Sequence, residues 1–184
     1  MRQLLLLRHA KSSWDDPALP DHARPLNARG RRAAQAMAAE MQRLGLTPDV
    51  VLVSSARRTL QTMEALRPFE GSPMVTVLDG LYLAPWRGML ETLNEVPDTV
   101  RSVLMIGHNP GLHELALELL PPDHPETQAL KRLRDAYPTG GLAEFGIAAP
   151  WHQLAPAGAR LVRYVVPRDL PEATAMANGG EHEG

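Results

Sequence analysis

Leu4-Leu5-Leu6-Leu7-Arg8-His9 is the stretch from which the fold is read. Four consecutive leucines suit a strand buried on both faces, since a strand with one wet face would alternate with polar residues. Such a strand belongs in a parallel sheet covered by helices, and it delivers Arg8 and His9 to its carboxyl end. The pattern recurs at Val50-Val51-Leu52-Val53, and further strands fit residues 74–78 and 102–106. Helical segments alternate with these strands. Asn27 offers an N-cap for a helix reaching about Leu44, with Gly45 as its stop, and Ser54-Ser55 can cap a helix running from Ala56 toward Leu66. Further helices fit residues 87–95, the stretch after Gly111 as far as Leu120, and a short piece at 129–134, while 142–148 and 160–166 read as a strand hairpin. The expected fold class is α/β, a three-layer α/β/α sandwich with a mostly parallel sheet. Residues 1–166 form the expected domain, and 167–184 a tail contributing little to the core.

Composition narrows the function. At 184 residues and 44% hydrophobic content, the chain fits one ordinary globular domain. A formal net charge of -2 and a pI near 6.4 argue against a general nucleic-acid binder. The absence of cysteine excludes disulfides, thiolate catalysis and cysteine-bearing zinc sites. The leucine run is stopped by Arg8, too early for a leader or a membrane span, so a soluble, cytoplasmic protein with no membrane partner is expected. His22, His113, His124, His152 and His182 show no metal-ligand spacing, and no phosphate-binding Gly-rich loop or serine elbow is present.

Ligands of open α/β sheets sit beyond the carboxyl ends of the strands. Three segments share that address: Arg8-His9, Ser54 to Arg58, and Gly107-His108-Asn109. Two guanidiniums aimed at one point suit a tetrahedral oxyanion, and a neutral imidazole can attack phosphorus to form a covalent intermediate.

These residues resemble a known family. Arg8-His9-Ala10-Lys11-Ser12-Ser13-Trp14 is similar to the Arg-His-Gly-x-Ser signature of the histidine phosphatase superfamily. Ser54-Ser55-Ala56-Arg57-Arg58-Thr59-Leu60-Gln61-Thr62 resembles its Ser-x-x-x-Arg-x-x-Gln-Thr segment, Gly107-His108-Asn109 its second-histidine turn, and residues 26–30 the approach to its first helix. The opening heptapeptide and Arg24-Pro25-Leu26 resemble the SixA-type phosphohistidine phosphatases most closely. The resemblance implies a phosphoglycerate mutase-like fold, with His9 as nucleophile and Arg8, Arg58 and His108 holding the phosphoryl group. Ser12, Asn109 and Asp15 are the expected substrate-binding helpers, and no metal or organic cofactor is implied. Arg58 is favoured over Arg57 by its position four residues after Ser54 and four before Thr62.

The departures carry chemistry too. Ala10 stands where glycine is commoner, Lys11 takes a place that is often acidic in mutase-like relatives, and Asn109 breaks the His-Asp pair of the acid-phosphatase branch. No glutamate aligns with the usual proton donor; Asp79, Glu91 or a loop aspartate (Asp15, Asp16 or Asp21) remain as options. An alkoxide leaving group needs such an acid, whereas imidazole, with a pKa of ~6.5, is already a weak base. The expected activity is therefore hydrolysis of phosphohistidine on a partner protein. The alternatives are a small-molecule phosphomonoesterase acting on a phosphorylated metabolite, and a non-catalytic phosphohistidine-binding module, which vanadate binding without phosphate release would reveal.

Overall fold

The computed structural model describes residues 1–171. Its sheet has six strands, β1 Arg2–Arg8, β2 Val50–Ser54, β3 Met74–Leu78, β4 Ser102–Gly107, β5 Leu142–Ile147 and β6 Arg160–Val165, in the order β3-β2-β4-β1-β5-β6. Pairings β1 with β4, β2 with β4 and β2 with β3 are parallel, and only β5 runs against its neighbours. The helices are α1 Ala28–Arg43, α2 Arg57–Ala65, α3 Trp86–Asn94, α4 Gly111–Glu118 and α5 Gln128–Asp135. None is long and apolar enough to cross a membrane.

The central position of β1 explains its leucines, all at 1% exposure or less. Alternation along the pleat sends Leu4 and Leu6 into one core with α3, α4 and α5, and Leu5 and Leu7 into another with α1 and α2. Each such burial contributes about 1.5–3 kcal/mol. The result is the expected α/β/α sandwich of phosphoglycerate mutase-like type. At the edge, β3 leaves Met74 and Val77 exposed, which is why its sequence is less uniformly apolar.

Helix boundaries mostly follow the local signals. Asn27 caps α1 by accepting from the Gly30 backbone N–H at 2.7 Å, and Gly45 ends the helix at φ +66. A Cβ on Gly30 would lie 2.0 Å from the Lys11 carbonyl oxygen, so only glycine lets α1 approach the loop after β1. Two expectations are corrected. No side chain caps α2, whose N-cap is Ala56; the Ser54 hydroxyl accepts from the N–H of Ala56 itself at 3.3 Å, short of the helix's own N–H groups, and meets His108 at 2.7 Å. The packed fold also passes the expected limit at Val166: Pro167–Asp169 form a 3-10 turn and Leu170, 5% exposed, joins the core beneath α1. Residues 172–184 of the expected tail lie outside the described residues.

Candidate active site

The three segments do converge. His9 follows β1, Arg58 lies in the first turn of α2 and His108 follows β4, and all line a pocket of about 640 Å³ at the carboxyl ends of the parallel strands. The His9 and His108 ring centroids are 5.3 Å apart.

Backbone and motif residues set the orientation of the His9 ring. His9 Nδ1 lies 2.7 Å from the Ala10 carbonyl oxygen, which can only accept; Nδ1 therefore carries the proton and Nε2 keeps its lone pair. The Ala10 N–H donates to Thr62 Oγ1 at 3.0 Å, and Gln61 Oε1 accepts from the Leu26 N–H at 2.8 Å, which gives the Gln-Thr pair of the motif a clamping role. Burial is the largest influence on the His9 ring and lowers its pKa; the Ala10 carbonyl opposes this, but Arg58, Arg8 and Arg24 reinforce it, to a value of about 4. The imidazole is neutral at neutral pH.

His108 is 1% exposed and is pushed down to about 3, first by burial, then by His9 and Arg58, against the opposing influence of Asp21. Arg58 Nη2 donates to its Nδ1 at 3.3 Å, so Nε2 bears the proton and donates to Ser54 Oγ at 2.7 Å. A hydroxyl can reverse its role, so Ser54 allows His108 to present an N–H to an arriving anion.

The arginines are held with donors to spare. Arg8 Nη1 donates to the Tyr137 carbonyl at 3.0 Å, and Arg58 Nη1 and Nη2 donate to the Asp21 carbonyl and carboxylate at 2.8 and 3.1 Å. Yet the buried Nε of each has no partner among the described residues. Unpaired buried donors are costly, and both belong to side chains that line the one pocket. Burial, then the neighbouring Arg58, pushes the Arg8 guanidinium below its ordinary pKa, against smaller opposing influences from Tyr164 and Tyr137.

Asp21, one of the loop aspartates offered as a proton donor, and Arg24, of the Arg-Pro-Leu motif, complete the wall. Arg24 donates from Nε and Nη2 to Asp21 Oδ1 at 3.1 and 2.9 Å, and from Nη1 to Ser12 Oγ at 2.7 Å. Its guanidinium stacks 3.5 Å from the Trp14 ring, whose other side is open at the pocket mouth. Tyr82 donates its hydroxyl hydrogen to Asp21 Oδ2. Burial tends to raise the Asp21 pKa, but the Tyr82, Arg24 and Arg58 hydrogen bonds outweigh it and hold the carboxyl far below the usual range.

A model of the histidine phosphatase superfamily (branch 1) matches residues 4–118, more than half of the chain. This chain belongs to the histidine phosphatase superfamily. An uncharacterized protein of Mycobacterium tuberculosis is 34% identical over 163 residues, 88% of this chain and 100% of that one. A SixA structure from Nakamurella multipartitia, assigned as a phosphohistidine phosphatase, has a TM-score of 0.79 and 32% identity, covering 90% of this chain and 96% of that one. A SixA structure from Agrobacterium tumefaciens, with the same assignment, has a TM-score of 0.76 and 27% identity over 90% and 98%. A phosphoserine phosphatase from Entamoeba histolytica shares the fold at a TM-score of 0.61 and 13% identity, covering 89% of this chain and 96% of that one. The protein is a phosphatase of this superfamily.

Within this phosphatase the expected site residues divide. Arg8, His9, Ser12, Arg58, His108 and Asn109 line the pocket, with Asn109 Nδ2 tied to the Tyr137 carbonyl at 2.9 Å. Asp15 is a correction: it is exposed and off the pocket wall, because its backbone N–H turns back onto Ser13 Oγ at 3.1 Å. Asp79 and Glu91 are likewise exposed and outside the pocket, and Asp16 is spent on the Ala18 N–H. Arg24 had a signal in the Arg-Pro-Leu motif. Tyr82 and the Tyr137 carbonyl had none, since their roles depend on loops folding back from far along the chain. Among the described residues no group of three His, Cys, Asp or Glu is placed to hold a metal ion.

Proposed function

We propose that this phosphatase hydrolyses phosphohistidine on a partner protein through a covalent phosphohistidine formed on His9. The observation that carries this reading is the state of Asp21. Among the described residues it is the one carboxylate on the pocket wall, and Tyr82, Arg24 and Arg58 hold it ionised. An ionised carboxylate has no proton for a departing alkoxide, and lack of a general acid costs about 10²–10⁴ in rate. A departing imidazole needs none at the bond that breaks, because its far ring nitrogen can take a proton from solvent.

In the first displacement His9 Nε2 attacks phosphorus in line, the new P–N bond forms as the old one breaks, and the substrate histidine leaves as neutral imidazole. Arg8 and Arg58 donate to the equatorial oxygens, and His108 does so after exchanging roles with Ser54. The charge that develops on the His9 ring is eased by the Ala10 carbonyl at Nδ1. Water then attacks the phosphorus of the phosphoenzyme, the new P–O bond forms as the bond to His9 Nε2 breaks, the water's protons pass to phosphate and bulk solvent, and His9 departs as neutral imidazole with Nδ1 still protonated.

The test compares kcat/KM on a protein carrying phosphohistidine with values on p-nitrophenyl phosphate and sugar phosphates. The expected result is a preference of about 10²–10⁴ for the P–N bond. Equal or better turnover of sugar phosphates would favour a small-molecule phosphomonoesterase instead.

A further inference from the structure

A second cavity, of about 330 Å³, adjoins the catalytic pocket and shares Lys11, Pro138 and Thr139 with it. Its walls come from separate parts of the chain: Arg29 from α1, Arg132 and Asp135 from α5, Tyr164 from β6, and Arg168 from the turn after β6. Lys11, Arg29, Arg132 and Arg168 bring four cations against one lining carboxylate, Asp135. Arg132 is additionally paired with Asp169. Among the described residues Lys11 and Arg29 are exposed and have no side-chain hydrogen bond or ion pair. The chain as a whole carries a formal charge of -2, so the cations lining this groove are a local excess.

We infer that this groove docks an acidic segment of the phosphorylated protein, next to its phosphohistidine. The inference rests on the reading of the substrate as a phosphoprotein. Its chemistry differs from that of the catalytic pocket. There, the buried His9, Arg58 and His108 share one wall; here, the cations stand around apolar surface from Ala33, Pro138, Val166 and Pro167. A lone phosphate is best held by converging donors, whereas a peptide with carboxylates at its edges and methylenes between them matches a cationic rim over an apolar floor. Continuity through Lys11 lets one polypeptide occupy both cavities. Opposite charge along such a track chiefly governs encounter and choice of partner, and it weakens with salt.

The experiment uses the full chain and two synthetic peptides of equal length, each bearing one phosphohistidine, one flanked by glutamates and the other by lysines. In the wild type kcat/KM for the acidic peptide should exceed that for the basic one about 10-fold, and about 0.5 M salt should erase most of the difference. Arg29→Glu should abolish the preference, while Arg32→Glu, the same charge change at an exposed α1 position off the groove, should retain it. Equal wild-type values for the two peptides, or a preference unaltered by Arg29→Glu, overturn the groove assignment alone. Failure of the wild type to hydrolyse either peptide removes the phosphoprotein reading itself. Inhibition by inorganic phosphate adds a final arm: weaker inhibition in Arg29→Glu than in the wild type would make the cavity a plain phosphate site, against the inference.

Discussion

Acidification from pH 8 to pH 5 should weaken this fold by about 4 kcal/mol, with two buried histidines accounting for the loss. His9 and His108 are 7% and 1% exposed and are pushed down from 6.5 to about 4 and about 3. A group whose folded pKa is depressed supports stability above its unfolded pKa, and the support is lost as pH falls toward the folded value. At pH 5 an unfolded histidine is mostly protonated while both folded rings stay neutral, so the unfolded chain gains about 2 kcal/mol per ring. The window thus opens near pH 6.5. Asp21 has its own, lower window, since its support is present above the ordinary carboxylate pKa and declines only below about pH 4. Urea unfolding at pH 8 and pH 5 measures the difference, in the wild type and in His9→Gln and His108→Gln. The wild type should lose about 4 kcal/mol and each variant about 2 kcal/mol. A wild-type loss below about 1 kcal/mol, or variants as pH-sensitive as the wild type, would refute the claim that these rings are held neutral by burial and cationic neighbours.

Other perturbations address the chemistry and the scaffold. Rapid acid-free quenching of a reaction with labelled substrate should trap acid-labile phosphate on His9, and His9→Ala should trap none while lowering kcat by about 10³-fold or more. Asp21→Asn should slow P–N and P–O hydrolysis by the same factor, about 10-fold, by releasing Arg24 and Arg58; a selective loss on esters would instead make Asp21 a proton donor. Gly30→Ala, which sets a methyl 2.0 Å from the Lys11 carbonyl, should destabilise the protein by about 3 kcal/mol or more in a thermal or urea melt. Tyr137→Phe removes the buried hydroxyl that donates to the Leu6 carbonyl at 2.5 Å and should cost about 1–2 kcal/mol in the same melt.

The layers of the fold and the three segments that meet at the candidate site were legible in the chain itself. Leu4 to Leu7 announce a strand buried on both sides because burial follows a period set by the local backbone. The offset of Arg58 from Ser54 and Thr62 singled it out over Arg57 by resemblance alone, and the rule that ligands gather beyond strand ends joined it to His9 and His108. What the tertiary structure decided are matters of contact between distant positions. Asp21 became an ionised anchor because a loop carried it between Arg24, Arg58 and Tyr82. Ser54 reaches the Ala56 N–H but no N–H of α2 itself, and the turn after β4 places His108 within 2.7 Å of the same hydroxyl. Leu170, in a stretch without apolar periodicity, entered the core because α1 left a place for it. Periodicity is a property of neighbours along the chain, whereas ionisation, tautomer and pairing depend on the field made by groups tens of residues away, and only the folded path of the loops sets that field.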